Sequence, residues 1–110
     1  MTINREKAER IRAVGTPFHE AVATQIANFH YIRTQGLTHM HDPLTVASVI
    51  QPDLVKLRSL HVDIELKGQF TLGASLMRTP TDQFPANAQV ALEVDVERAE
   101  NFLMDRLTRR

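Results

Sequence analysis

The sequence contains no cysteine, which excludes disulfides and thiolate metal sites and agrees with a reducing compartment, so the cytoplasm is the expected location. Nor does it carry an excess of charge. Its 13 Lys and Arg balance 13 Asp and Glu, leaving no net field to draw the protein to a nucleic-acid backbone or an anionic membrane surface. Neither a nucleic acid nor a membrane is therefore an expected partner. No apolar run approaches the roughly 20 residues that span a bilayer, and Arg5, Glu6, Lys7, Glu9 and Arg10 stand where a signal peptide needs an apolar stretch. A Gly-rich phosphate loop, a Gly-x-Ser-x-Gly elbow and a thiol nucleophile are all lacking, which removes the usual phosphoryl- and acyl-transfer arrangements. Hydrolysis by a metal-activated water stays open. With 4 Gly and 5 Pro against 43% apolar and 24% charged residues, the composition is that of a globular chain. At this length folding buries roughly two-thirds of the surface, enough for one modest core.

Helical spacing governs the first third of the chain. Ala8, Ile11 and Val14 recur at that spacing up to Gly15, and Thr16 and Pro17 then supply an N-cap and a first-turn proline. Phe18, Val22, Ile26 and Phe29, flanked by Ala21 and Ile32, predict a second helix with one apolar stripe running to the Gly36 stop. The polar segment Thr38-His39-Met40-His41-Asp42-Pro43 opens into Leu44 to Ile50, which is apolar almost all round. That pattern predicts a short helix buried on most sides and limited by Pro52.

The period then changes to two. Val62, Ile64 and Leu66 alternate with polar neighbours, Lys67-Gly68 makes a turn, and Gln69 to Met77 returns as the second arm of a β-hairpin with one wet face. After a loop from Thr79 to Ala88, Val90, Leu92 and Val94 mark a third strand. Asp95 then caps a last helix that buries Ala99, Phe102, Leu103 and Leu107. Helices grouped before strands indicate an α+β arrangement: helices, a three-stranded antiparallel sheet and a C-terminal helix, or else the trailing end of a larger α/β protein. The nearly all-apolar helix favours the second, because so small a domain offers few sides on which to bury it.

One cluster is dense enough in functional groups to suggest chemistry, His39-Met40-His41-Asp42-Pro43. An Asp at a helix start is pinned by the backbone it caps, and a neighbouring imidazole titrates near neutral pH, so the pair can bind a cation and donate a proton. Asp-Pro before an apolar run is equally the signature of an N-cap and a first-turn proline, and the residues alone favour that plainer role. His39 and His41 share a side on an extended segment, but zinc helices space histidines by three or four residues and no thiolate helps, so the spacing argues against zinc. His19, His30 and His61 read as ordinary surface or core residues. The basic residues near Arg5 and at Arg109-Arg110 read as solvated helix faces, and a helix-turn-helix over residues 4 to 34 lacks the basic balance that DNA binding needs.

The run Met40-His41-Asp42-Pro43-Leu44-Thr45-Val46-Ala47-Ser48-Val49-Ile50-Gln51-Pro52 resembles the His-Asp-Pro segment of the inosine-uridine-preferring nucleoside hydrolases. Val62 to Gly73 is similar to the hairpin that follows that segment in the family, and Val90 to Asp95 to the strand before its last helix. The resemblance implies an α/β family fragment, with residues 1–110 forming the C-terminal segment of a nucleoside hydrolase-like domain. It also implies an N-ribohydrolase that cuts the N-glycosidic bond of purine or pyrimidine ribonucleosides in nucleoside salvage, with a calcium ion holding the ribose hydroxyls and the attacking water. Asp42 matches the family's late calcium ligand, and His41 the histidine that in several members helps protonate the departing base. Tyr31 lies near the position of a frequent active-site aromatic.

The family's aspartate-rich N-terminal segment, which supplies most calcium ligands and the general base, has no counterpart in this sequence. A single carboxylate does not satisfy an ion that takes roughly six to eight oxygens. The implied partners are therefore a ribonucleoside and either the missing N-terminal part or further copies in a homo-oligomer, and the chain by itself is expected to be inactive. The alternative of the same descent is a non-catalytic remnant or interaction module, in which Asp42 only caps its helix.

Overall fold

A computed structural model describes residues 1–110, which divide into two compact units: Met1–Leu54 with Asp95–Arg110, and Val55–Val94. The first is helical. A short strand β1 (Thr2–Asn4) runs into α1 (Arg5–Arg12), whose N-cap Asn4 accepts the amide of Lys7 at 2.9 Å. Helix α2 (Pro17–Asn28) starts as the sequence predicts, with Thr16 as N-cap and Pro17 in the first turn. It stops earlier than predicted. Phe29 leaves helical geometry at ψ 135°, and a separate α3 (His30–Gln35) follows, closed by Gly36 at φ 81°. The break turns the predicted stripe aside: Phe18 and Phe29 are exposed, while His19, Ala23 and Ile32 are buried.

Strand β2 (Leu37–His39) pairs antiparallel with β1, Thr2 opposite His39 and Asn4 opposite Leu37. Helix α4 (His41–Ile50), a 3-10 turn over Pro52–Leu54 and α5 (Val96–Leu107) complete the unit. Asp95 caps α5 as predicted, its Oδ1 accepting the Arg98 amide at 3.1 Å. Along α5 the deepest side chains are Ala99 and Met104, with Phe102, Leu103 and Leu107 only partly covered. The core is Ile3, Ile11, Ala23, Ile32 and Met104, against which Val22, Ile26, Met40 and Leu107 pack. It draws on β1, α1, α2, α3 and α5, so burial of aliphatic surface ties both ends of the chain into one body.

The second unit is the three-stranded antiparallel sheet, in the order β4-β3-β5. Its long central strand β3 (Val55–Ile64) begins well before the alternation at Val62. The first half of β3 pairs with β5 (Ala88–Val94), around a bulge between Lys56 and Leu57, and the second half with β4 (Ser75–Arg78). The predicted two-residue turn at Lys67-Gly68 is instead the start of a loop over residues 65–74. There the Glu65 carboxylate accepts the amides of Lys67 and Gly68 at 2.7 and 2.9 Å, and the turn over residues 69–73 ends on Gly73 at φ 85°, whose amide donates to the Glu65 carbonyl at 2.8 Å. A Cβ on Gly68 would lie 2.3 Å from Thr71 Oγ1, so a larger residue there would force the Thr71 side chain to shift. The α+β arrangement read from the sequence is the one observed. No helix is long and apolar enough to cross a membrane.

Candidate active site

The two residues singled out for chemistry, His41 and Asp42, stand side by side at the start of α4, both exposed. Their position is set from behind by the β1–β2 ladder, extended when the Met40 amide donates to the Met1 carbonyl at 3.1 Å. Met40 packs its side chain against the core. The residues on either side of it, His39 and His41, remain exposed with their rings stacked, centroids 5.6 Å apart and planes 15° from parallel. The first turn of α4 is braced by Thr45, whose hydroxyl donates to the His41 carbonyl at 3.1 Å.

Asp42 is not the helix cap that the residues alone suggested. The backbone becomes helical at His41, so Met40 occupies the cap position with no side-chain hydrogen bond, and Asp42 falls two places inside. Its carboxylate there favours the positive end of the helix dipole but accepts no amide of the turn. Pro43 is tolerated one place further on, because the first-turn amides have no intrahelical partner to lose. The carboxylate is thereby left free for a partner outside the helix.

The ladder is clamped by a contact that no local sequence pattern signals. Glu100 on α5 accepts the Thr2 amide at 2.7 Å and the Lys7 ammonium at 2.5 Å, and Lys7 also donates to the Thr2 carbonyl at 2.8 Å. The Lys7 hydrogen bond, with the Thr2 amide behind it, holds the Glu100 carboxyl below its ordinary value. These partners lie more than 90 residues apart in sequence, where no local pattern reports on them.

Two depressions flank the pair. One, of about 410 Å³, is lined by Phe29, Tyr31, Leu37, His39 and His41 among others. The Phe29 and Tyr31 rings meet there at 5.8 Å between centroids, and Tyr31 and His41 both line this hollow. The other, of about 550 Å³, is an apolar groove between α2, α4 and α5 with Asp42 among its lining residues.

The donor set does not amount to a calcium site. No group of three or more His, Cys, Asp or Glu side chains gathers closely enough to hold an ion, and one carboxylate offers two oxygens against the roughly six to eight that calcium takes. The His39 and His41 rings stack on each other, and no third His, Cys, Asp or Glu side chain gathers with them. Of the remaining histidines, His30 is exposed with its ring against Tyr31, and His19 and His61 are structural. His19 is buried, hydrogen-bonded to the Thr16 hydroxyl at 2.6 Å, and its Nε2–H donates to the Arg109 carbonyl at 3.0 Å. In the sheet unit, His61 Nδ1–H donates to the Pro85 carbonyl at 2.7 Å, which holds the loop after β4.

The chain is similar to known proteins along nearly its whole length. A family model described as inosine-uridine preferring nucleoside hydrolase matches residues 1–101. The pyrimidine-specific ribonucleoside hydrolase RihA of Shigella boydii is 32% identical over 96% of this chain and 36% of its own length. The inosine-uridine preferring nucleoside hydrolase of Crithidia fasciculata is 38% identical over 70% of this chain and 25% of its own length. Among solved structures, a purine-preferring ribonucleoside hydrolase from Gardnerella vaginalis superposes with a TM-score of 0.86, at 24% identity, over 98% of this chain and 36% of that one. The chain thus spans little more than a third of the relatives it matches along nearly all its own length.

Proposed function

The chain belongs to the inosine-uridine preferring nucleoside hydrolase family, and from that premise we propose that it is the C-terminal part of a cytoplasmic nucleoside N-ribohydrolase acting in nucleoside salvage, inactive until the rest of the site is supplied. The observation that carries the reading is the family match over residues 1–101 together with the placement of His41 and Asp42, exposed and adjacent, at the mouth of α4.

In the reaction the bond between ribose C1′ and the base nitrogen breaks and a bond from C1′ to a water oxygen forms. The base leaves with a proton, and the water gives one up to a general base outside this chain. An anionic purine or pyrimidine is a poor leaving group, so a proton delivered to its ring nitrogen lowers the barrier. A positioned acid contributes roughly 10²- to 10⁴-fold. His41 is the residue assigned to that delivery. It stands on a helix start held by the β1–β2 ladder and shares its hollow with Tyr31, on which an aromatic base can lie. In the completed enzyme Asp42 would supply one carboxylate to a bound calcium, which would hold the ribose hydroxyls and activate the water, with its other ligands drawn from beyond this chain.

A chimera tests the assignment. The region of the Shigella boydii relative that this chain matches is replaced by the chain itself, and ribose release from a pyrimidine ribonucleoside is followed. The chimera is expected to turn over. Asp42→Ala is expected to lower kcat/KM by at least about 10²-fold, and His41→Ala by roughly 10²- to 10⁴-fold. A folded chimera that is inactive, or as active with both substitutions as without them, would leave the non-catalytic module as the better reading.

A further inference from the structure

Apolar surface is not spread evenly over the helical unit. Helix α4 is apolar almost all round, yet it buries only Ala47, while Val46 is 61%, Val49 77% and Ile50 61% exposed. The groove of about 550 Å³ is lined by Val46 and Ile50 of α4, Val22 and Ile26 of α2, and Phe102 and Leu103 of α5. Charge is confined to Asp42 and Arg106, and Arg106 lays its guanidinium over the Phe102 ring at 5.1 Å. Helices whose apolar residues face water in this density mark a surface that is covered in the working assembly.

The occupant is indicated by proportion. The same frame, superposable at a TM-score of 0.86 over 98% of this chain, makes up only 36% of the solved hydrolase. The rest of that chain has to pack on some face of the frame, and the groove is an apolar face of the helical unit whose residues Val46 and Ile50 stand exposed. We propose that the groove between α2, α4 and α5 is the seat of the remaining two-thirds of the nucleoside hydrolase fold, whether it is joined to this chain or separate from it. The inference rests on the functional reading above, since the occupant is the part of the enzyme that completes the site. It adds which surface does the joining and what docking accomplishes: closing the groove over Val46, Ile50 and Phe102 brings Asp42, one of its lining residues, against the incoming part. The carboxylate is thus delivered by the same contact that buries the helix.

The probe is the portion of the Shigella boydii relative that lies outside the match, co-expressed with the tagged 110-residue chain. An equimolar complex is expected. Val46→Glu and Ile50→Glu are each expected to weaken it by roughly 10-fold or more. Both positions are exposed in the free chain, so its own melting temperature should not change. Leu92→Glu, on an exposed position of the sheet unit, and Asp42→Ala should leave the complex intact. Absence of a complex, a complex indifferent to both groove substitutions, or a homodimer of the chain alone that Val46→Glu dissolves would each overturn the proposal. A complex that forms through the groove but releases no ribose keeps the proposal and removes the functional reading; an active chimera without groove-dependent assembly does the reverse.

Discussion

The helical unit and the sheet unit are held together by different means. All but one of the buried side chains, from Ile3 to Met104, belong to the first, and the sheet contributes only Leu60. In its place the sheet has a ladder along β3, the Asn87 side chain continuing that ladder by gripping the Val62 amide and carbonyl at 2.8 and 3.0 Å, and exposed ion pairs such as Lys56–Glu93 and Arg78–Asp63. Apolar burial scales with area and resists single losses poorly, whereas exposed ion pairs are screened and individually weak. The candidate site is mounted on the unit with the core, which is where a catalytic group has to be held still.

Substitutions in each region break or sharpen this contrast. The largest effect is expected in the core: Ile11→Ala should cost about 3 kcal/mol in urea denaturation, as buried aliphatic truncations do, against less than about 1 kcal/mol for Leu76→Ala on β4. Equal losses would erase the distinction. A smaller effect, about 1 kcal/mol, is expected for Gly68→Ala, because its Cβ meets Thr71 Oγ1 at 2.3 Å. Adding Thr71→Ala should recover most of it, seen as restored amide protection over residues 65–74.

Glu100→Gln tests the clamp behind the site. A carboxyl held below its ordinary value of 4.5 contributes stability that is complete above that pH and is lost as pH falls through the lowered value. The melting-temperature gap between wild type and Glu100→Gln should therefore be widest near neutrality and shrink as the pH drops below 4.5. A gap that grows in acid would put the sign wrong. Least of all, Lys56→Ala should leave the melting temperature unchanged, since its partner Glu93 and it are both well exposed on the sheet.

Local chemistry was legible in the sequence, and long-range chemistry was not. Thr16-Pro17, Gly36 and Asp95 announce their helix ends because a cap is decided within four residues, and the strand at Val90 to Val94 follows from its alternation. The β1–β2 pairing of Thr2 with His39 and the Glu100 clamp join distant residues and leave no local trace. Lys67-Gly68 resembled a hairpin turn, but Gly68 sits in a longer loop, with the Thr71 and Glu65 side chains close against it. The apolar run of α4 was legible as a demand for burial, but its neighbours Val22, Ile26 and Phe102 cover only one side of it. Of the candidate site, composition and spacing showed only that His41 and Asp42 are adjacent and near a helix start. The roles given to them came from family resemblance, and the cap inferred for Asp42 moved to Met40.

The most direct test of the account is ribose release from inosine and uridine by the purified 110-residue chain with calcium present. No turnover above the buffer blank is predicted, because Asp42 is the only carboxylate the chain brings to the site. Turnover that disappears in both Asp42→Ala and His41→Ala would contradict it, and would mean that this chain builds a complete active site of its own.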